Sequence, residues 1–402
     1  MTRSLSIRLR LPQRRCIVVL NGSENNPINR VLRGYCLFNY SASEVSVWVR
    51  PAYLLRLARW TLRYGMAQAR LISLLATVRA HAVICMEQSD RQNTLRSVSY
   101  ALPRVRIISI QQSRNFEAPH PFGSWGNAKN VRLLVWGDEL ARDVEKLGSS
   151  SSLQVPVGSL SLSQFVDVVG VPEPDKVIDL LVCVKPKYLN TSESDTDRKL
   201  AAGWERGGLS KHRLLVHLGR YARERELTLS FPSDPRPGSE VSEEILRKFE
   251  AISGAKCQLV GPMDLPQSPI RLQPDSTLWT ILHSRVVVGV NTSLLWDSVA
   301  LRVPTVYSSY GESSYNWFPP LGKWVMHEPN YTQLAIELDE ARQVTRAELE
   351  ARAELLNPYL RDPTTTSAAS FLKLLIHRSL DTRSLDDALN SDDIVRDSCS
   401  EI

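Results

Sequence analysis

The chain has 402 residues, of which 43% are hydrophobic and 23% are charged, a composition that excludes the fibrous, disulfide-rich and wholly disordered classes. No uninterrupted apolar run reaches the roughly 18–20 residues of a membrane span. The basic segment 1–15 lacks the apolar centre of a secretory signal, so we expect a cytoplasmic protein. The net charge of +6 is uneven, because residues 1–150 carry 22 Lys and Arg against 9 Asp and Glu, a net of +13. This excess fits an anionic partner for the first half of the chain, and a contribution to solubility alone is an equally good explanation.

The six cysteines are scattered and form no Cys-x-x-Cys pair, which indicates reduced, structural thiols. No group of His and Cys residues has the spacing of a metal site. A glycine-rich dinucleotide fingerprint and a Walker loop are both missing. We therefore predict no metal site and no resident cofactor.

The first 160 residues alternate short apolar runs with amphipathic stretches, the pattern of a parallel sheet flanked by helices. The predicted strands are Cys16–Leu20, Val45–Val49, Ala82–Met86, Val105–Ile110, Val131–Trp136 and Leu153–Val157, and a first helix is predicted over Asn29–Asn39. Polar residues follow several of these strands, namely Asn21, Gly22, Glu87, Asp90, Gln111 and Gln112. Because parallel strands end at one edge of the sheet, we expect these residues to line a cleft.

The stretch Ala52–Ala82 is predicted to form one long helix with a single apolar stripe. That stripe comprises Leu54, Leu55, Ala58, Leu62, Met66, Ala69, Ile72, Leu75 and Ala76, and arginines surround it. A basic helix that carries aromatic residues can lie on an anionic membrane surface. It can also cover the sheet with its apolar stripe, and we favour this second role because the sheet needs a cover.

The second half repeats the same alternation. Strands are predicted at Val177–Val184, Leu227–Phe231, Gln258–Val260, Val286–Val290 and Thr305–Tyr307, and helices at 209–223, 240–253, 276–284, 331–343, 346–357 and 364–378. The predicted organisation is a first domain over 1–160, a linker over 161–176, a second domain over 177–378 and an acidic, disordered tail over 379–402.

One stretch of the second half concentrates candidate functional residues. Asn291, Thr292 and Ser293 stand between a β-branched strand and an apolar helix, so they are predicted at the carboxyl end of a strand and the amino end of a helix. Free backbone N–H groups and the helix dipole make this position suitable for a phosphate. Ordinary helix capping by the same residue types is the alternative.

Short motifs occur in order at four places: Val83–Asp90, Ile108–Ser113, Leu134–Gly137 with Val155–Leu160, and Val288–Asp297. Their order and spacing resemble the bacterial surface carbohydrate biosynthesis family of GT-B-like transferases, which is related to capsule and lipopolysaccharide transferases for CMP-activated ulosonic acids such as Kdo or sialic acid. The chain departs from that family at Ser113, where Gly is usual, and at Asp297, where Glu is usual.

The resemblance implies two Rossmann-like, doubly wound domains that face a cleft. It further implies a nucleotide sugar as co-substrate and a glycan or lipid-linked glycan as acceptor. The implied donor-binding residues are Asn291, Thr292, Ser293 and Asp297, and either Arg220 or Arg236 could neutralise the donor phosphate. Asn21, Gly22, Gln111 and Gln112 would line the acceptor side. The candidate bases are Asp90, Glu87 and His120. An ion pair with Arg302 is the alternative role for Asp297.

The predicted function is metal-independent glycosyl transfer to a surface polysaccharide or its lipid carrier, in the cytoplasm or at the inner face of the plasma membrane. Three alternatives are open: sugar-nucleotide epimerisation, polyol-phosphate transfer, and a catalytically weak scaffold of the same pathway. Nucleic-acid binding is ranked last, because the arginines are predicted on helices and not on an open sheet face with aromatic residues.

Overall fold

The structure, a computed structural model, describes most of the chain. The described residues are 5–8, 16–20, 27–40, 45–48, 50–86, 92–111, 129–146, 149–150, 153–171, 173–184, 206–233, 243–261, 264–265, 276–290, 292–310 and 321–380. They form two compact units, one comprising the described residues up to Asp167 and from Pro363 onward, the other comprising Val168–Asp362.

The first unit contains eight of the strands and seven of the helices found in the described ranges. Its strands are β1 (Leu5–Arg8), β2 (Ile17–Leu20), β3 (Leu37–Tyr40), β4 (Val45–Trp48), β5 (Ala82–Met86), β6 (Arg106–Ile110), β7 (Val131–Val135) and β8 (Gln154–Pro156). Its helices are α1 (Pro27–Val31), α2 (Pro51–Tyr64), α3 (Met66–Val78), α4 (Gln92–Ala101), α5 (Asp138–Lys146), α6 (Leu160–Val169), which ends two residues beyond the unit boundary, and α13 (Ala368–Leu380).

Six of these strands form one parallel sheet in the order β3-β2-β5-β6-β7-β8, while β1 pairs with β4 in a separate parallel ribbon. Every residue of β2 and β7 is buried, as expected for central strands that are covered on both faces. The predicted helix over Asn29–Asn39 is wrong. The helix ends at Val31, and Leu37–Tyr40 pairs with β2 instead, because its apolar and aromatic residues suit a sheet.

The predicted long helix is divided into two. Gly65 has φ +80, a backbone conformation that side chains disfavour, and its N–H caps α2 by donating to the carbonyl of Thr61. The break turns the chain, so the predicted stripe does not stay on one face. Ala69, Ile72 and Leu75 are buried in α3, whereas Leu62 of α2 is 92% exposed.

Helix α13 belongs to the first unit although it lies at the far end of the chain. Its apolar residues recur at helical spacing and join the core of the first sheet; they are Ala368, Ala369, Leu372, Leu375 and Ile376. The backbone N–H of Ala369 also donates to Ser163 Oγ of α6 at 3.2 Å. The compact second unit thus ends at Asp362, whereas the second domain was predicted to continue to residue 378. The region predicted as a linker begins inside α6.

The second unit holds the remaining elements. Its strands are β9 (Ile178–Cys183), β10 (Leu229–Pro232), β11 (Cys257–Val260), β12 (Ser284–Gly289), β13 (Thr305–Ser309) and β14 (Val325–His327). Its helices are α7 (Arg206–Glu224), α8 (Glu243–Ser253), α9 (Ser276–Leu282), α10 (Leu294–Ala300), α11 (Tyr331–Ala341) and α12 (Arg346–Leu356), with a 3₁₀ turn at Gly322–Trp324.

The second sheet is also fully parallel, in the order β11-β10-β9-β12-β13-β14. Leu180 and Val182 of β9 enter a core with α7, α8 and α11. Leu181, which points to the opposite face, is fully buried as well, so this sheet is covered on both sides. No helix in the described ranges is long and apolar enough to cross a membrane.

Candidate active site

The second sheet reverses its winding direction between β9 and β12. The chain first adds β10 and β11 on one side of β9, and then β12, β13 and β14 on the other. This is the strand order of dinucleotide-binding Rossmann domains, which bind ligands at the carboxyl edge where the order reverses. In this unit that point lies where Cys183 of β9 and Gly289 of β12 pair.

Gly289 permits a very close approach of the two strands at this point. A Cβ added to Gly289 would lie 3.1 Å from the carbonyl carbon of Cys183, and nearer still to its carbonyl oxygen, inside the 3.0 Å limit of real Cβ contacts. Only glycine fits without moving a strand. The sequence motif thus contains a glycine that the geometry of the switch point requires.

Thr292 and Ser293 follow β12 and precede α10, in the local structure predicted for them. Thr292 is 7% exposed, and its Oγ1 accepts a bond from the Leu294 N–H at 3.4 Å. Ser293 stands at the N-cap of α10, and its side chain makes no capping hydrogen bond. The Ser293 hydroxyl is therefore not committed to the helix end. Asn291 lies outside the described residues, and the role of all three in donor binding stays a prediction.

Asp297 lies in the first turn of α10 and is half-buried. Burial, reinforced by the negative charge of Asp297, raises the pKa of the Cys183 thiol to about 12. Cys183 is one of the two residues that pair at the switch point, and Asp297 follows it in the chain, in the first turn of α10. Arg302, its alternative partner, is held by Glu350 at 2.9 Å and by Asp362 at 2.5 Å.

Arg220 is exposed on α7. Its Nε donates to Glu224 at 2.8 Å, and its guanidinium lies 3.9 Å above the ring of Tyr331. These contacts place it in a cluster with His217, whose ring also contacts Tyr331 edge-on. Its predicted contact with donor phosphate stays a prediction, and Arg236 lies outside the described residues.

The sequence interpretation missed the pair His217 and Tyr310. His217 Nδ1 lies 2.9 Å from Tyr310 Oη, immediately beyond the carboxyl end of β13. Burial, together with the positive charges of Arg213 and Arg220, lowers the pKa of His217. A neutral imidazole at neutral pH can accept the phenolic proton in a hydrogen bond. Only the spacing of His217 from Leu214 and Tyr221 on the inner face of α7 could have signalled it.

A second unpredicted contact lies at the same edge. Ser309 Oγ lies 3.1 Å from His327 Nδ1, and the ring of His327 packs edge-on against Tyr307. The Glu328 N–H donates to the Ser309 carbonyl at 2.7 Å, with Glu328 at φ +49. These bonds fix the carboxyl ends of β13 and β14 to each other.

In the first unit, the structure gives Gln111 a definite position. Its Oε1 accepts from the backbone N–H of Trp136 at 2.8 Å, and its carbonyl accepts from the Trp136 indole at 3.1 Å. Gln111 is 4% exposed, so these bonds fasten the carboxyl ends of β6 and β7. Its predicted contact with sugar hydroxyls stays a prediction.

The other candidates of the first unit lie outside the described residues: Asn21, Gly22, Glu87, Asp90, Gln112 and His120. Strand β2 precedes Asn21 and Gly22, and β5 precedes Glu87 and Asp90. These two strands are neighbours, because Leu20 of β2 pairs with Cys85 of β5. The order of the first sheet reverses between β2 and β5, so this sheet also has a switch point.

Metal binding has no candidate within the described ranges, where no three His, Cys, Asp or Glu side chains form a group that could hold an ion. The sequence does contain an Asp-x-Asp pair, Asp195 and Asp197, outside these ranges. Metal-independent chemistry therefore stays a prediction.

Comparison with known proteins gives a likeness of fold. No family model matches the chain, and no curated protein matches its sequence. Among solved structures, a candidate UDP-N-acetylglucosamine 2-epimerase from Listeria monocytogenes superimposes with a TM-score of 0.52 and 11% identity, over 92% of this chain and 98% of that one. The chain has a GT-B-like fold.

Two further structures are similar at lower scores. A glycosyltransferase from Rickettsia africae has a TM-score of 0.48 and 9% identity, over 92% of this chain and 100% of its own. The UDP-GlcNAc 2-epimerase from Neisseria meningitidis, bound to UDP-GlcNAc, also has a TM-score of 0.48 and 9% identity, over 90% and 99%.

Proposed function

We propose that this protein is an enzyme that uses a nucleotide sugar and binds the nucleotide in the second unit. The observation that carries the proposal is the switch point between β9 and β12, where Gly289 brings the strands together and Thr292 and Ser293 follow. Small polar groups beside backbone N–H donors suit a nucleotide phosphate. Asp297, in the first turn of α10, is suited to accept hydrogen bonds from sugar or ribose hydroxyls.

Glycosyl transfer to a surface glycan or its lipid carrier is the first candidate reaction, in line with the motif resemblance described above. The resemblance favours a CMP-activated ulosonic acid as donor. Epimerisation of a sugar nucleotide is the second candidate, and the name given to the Listeria neighbour, with its UDP-sugar substrate, favours it. The two reactions differ in one requirement, since only transfer consumes an acceptor.

Nucleotide binding is the first test. The full chain is titrated with CMP, CDP, UDP and GDP in a thermal-unfolding assay. A ligand at about 100 times its Kd stabilises its binding domain by roughly 2.7 kcal/mol. We expect one nucleotide to give such a shift, and Thr292→Val with Asp297→Asn to abolish it.

The matched control is Thr345→Val. Thr345 caps α12 in the same unit, where its hydroxyl accepts from the Glu348 N–H at 3.3 Å. This variant loses a helix cap but should retain the nucleotide shift. A panel without any shift, or a shift that survives in the Thr292→Val/Asp297→Asn variant, would contradict the proposed site.

The reaction is then assigned by incubating the protein with a sugar derivative of the nucleotide that binds and by following the sugar with NMR. A change of sugar configuration without acceptor identifies an epimerase. Nucleotide release that depends on added glycan acceptor identifies a transferase. Binding without either reaction would support the scaffold alternative.

A further inference from the structure

Helix α2 packs against α3 and presents an apolar surface to solvent. Its inner face buries Tyr53 and Leu57, one turn apart. On the opposite face Leu55 is 73% exposed and Leu62 is 92% exposed, and Met66 at the start of α3 is 51% exposed. Residues 55 and 62 are seven positions apart and so project in nearly the same direction. Large apolar side chains that share one exposed helix face favour an interaction site.

The charge beside this row has one sign. Residues 51–78 contain four arginines, at positions 56, 59, 63 and 70, and neither Asp nor Glu. Arg59 and Arg63 are exposed and project from the flank of α2 next to the leucines. Their guanidinium groups lie 5.2 Å and 5.4 Å from the ring centroids of Trp60 and Tyr64. Trp60 and Tyr64 are half-buried toward the inner face of α2, so the exposed surface combines aliphatic and cationic groups.

We propose that this surface, formed by Leu55, Arg59, Leu62, Arg63 and Met66, docks the protein on a membrane that contains anionic lipids. Amphipathic helices that lie in the headgroup region combine an apolar face with flanking arginines and interfacial aromatic residues. Since no described helix can cross a membrane, the attachment is peripheral. It does not depend on the nucleotide site proposed above.

Charge decides against the other occupants. A second copy of α2 would bring arginines against arginines, without a carboxylate in either helix, so like charges would oppose the contact. Nucleic acid would satisfy the arginines but would leave Leu55 and Leu62 facing a polar backbone. A lipid surface, unlike either of these, offers acyl chains for the leucines and phosphates for the arginines.

The test is flotation of the full chain with large unilamellar vesicles. The vesicles consist of phosphatidylcholine, either alone or with about 30% of the anionic lipid phosphatidylglycerol. We expect binding to the anionic vesicles that falls as salt rises, and at least tenfold weaker binding to neutral ones. Arg59→Gln with Arg63→Gln should weaken anionic binding about 25-fold, since each arginine contributes about fivefold. Leu55→Ser with Leu62→Ser should weaken it at least tenfold.

The controls are exposed apolar residues of other helices, Val168 at 65% and Ile336 at 54% exposure. Val168→Ser and Ile336→Ser should bind vesicles like the wild type. A second readout uses lipids brominated on their acyl chains. They should quench tryptophan fluorescence more in Leu62→Trp, which places the indole on the exposed face of α2, than in the wild type.

Four outcomes would overturn the proposal. The first is failure to bind anionic vesicles at low salt, and the second is binding that survives Leu55→Ser/Leu62→Ser. The third is a lipid-free dimer, seen in sedimentation, that the same double substitution dissociates. The fourth is tight RNA binding that is unchanged by Leu55→Ser/Leu62→Ser but is abolished by Arg59→Gln/Arg63→Gln.

Discussion

Substituting Gly289 by alanine tests both the fold and the candidate site. Gly289 pairs with Cys183 of β9 on one side and with Tyr307 of β13 on the other. The added Cβ would lie within 3.0 Å of the Cys183 carbonyl oxygen, and 3.2 Å from the Cys183 Cβ. The closest clash is with backbone, which no side-chain rotation can relieve.

The magnitude follows from this geometry. Ordinary Cβ contacts begin at 3.4 Å, so the two strands must separate by more than about 0.4 Å in a densely packed sheet. Overpacking of this kind costs about 1–3 kcal/mol, and we expect about 3 kcal/mol because both strands are central. If the locally opened state closes at the same rate as in the wild type, a loss of about 3 kcal/mol in opening free energy would accelerate hydrogen exchange in β9 and β12 about 150-fold.

Native-state hydrogen exchange, read by mass spectrometry on peptides from β9 and β12, is the appropriate assay, because a chain with two units need not unfold in one step. Gly261→Ala is the matched control. There the Cβ would meet the Ser233 hydroxyl at 2.7 Å, and that side chain can rotate away, so we expect less than about 1 kcal/mol. The cost of Gly289→Ala should be unchanged in a Cys183→Ala background.

Two results would refute this reasoning. One is a Gly289→Ala protein whose β9 and β12 exchange like wild type. The other is rescue by Cys183→Ala, which would mean that a side chain, and not the backbone, makes the contact. If Gly289→Ala is destabilised as expected yet binds nucleotide with unchanged affinity, the switch point is structural and the ligand lies elsewhere.

Three further predictions concern charged groups and thiols. Glu337 is 6% exposed, and within the described residues its Oε1 has no hydrogen-bond partner. Burial raises the pKa of this carboxyl group, so the folded state binds the carboxyl proton more tightly than the unfolded state does. The stability that the protonated group contributes is therefore lost as the pH rises through the folded-state pKa. Glu337→Gln should therefore raise the urea midpoint at pH 7.5 and lose that advantage near pH 4, and equal gains at both pH values would contradict the account. Arg302→Met leaves Asp362 without its 2.5 Å partner and should cost about 3 kcal/mol in urea unfolding; a loss under about 1 kcal/mol would show that the buried pair contributes little. The buried Cys183, whose thiol has its pKa raised to about 12, should resist iodoacetamide in the native protein while the exposed Cys36 reacts, and rapid labelling of Cys183 would mean that the β9 edge opens.

The sequence alone determined most strands and the parallel character of both sheets. Runs such as Val286–Val290 are apolar at every position, and only a strand covered on both faces needs that pattern. Local chemistry likewise placed Thr292 and Ser293 between a strand and a helix. Those predictions rest on neighbours in the chain, which sequence spacing reports directly.

The tertiary structure decided which distant residues meet. That β9 lies beside β12, which creates the switch point, depends on packing across about 100 residues of chain. The His217–Tyr310 pair spans 93 positions, so helical spacing could indicate that His217 faces inward but could not identify Tyr310 as its partner. Helix α13 has an apolar stripe that fits either unit, and only the available core assigns it to the first.

Leu55 and Leu62 of α2 show the same difference between what the sequence and the tertiary structure determine. Spacing alone predicted one apolar stripe through Leu55 and Leu62 into α3, directed toward the sheet. In the structure the turn at Gly65 separates the two helices. Tyr53 and Leu57 form the buried face of α2, so Leu55 and Leu62 are exposed on the opposite face. A helix pattern reports which residues share a face; which face is buried is settled by the surface that the rest of the chain provides.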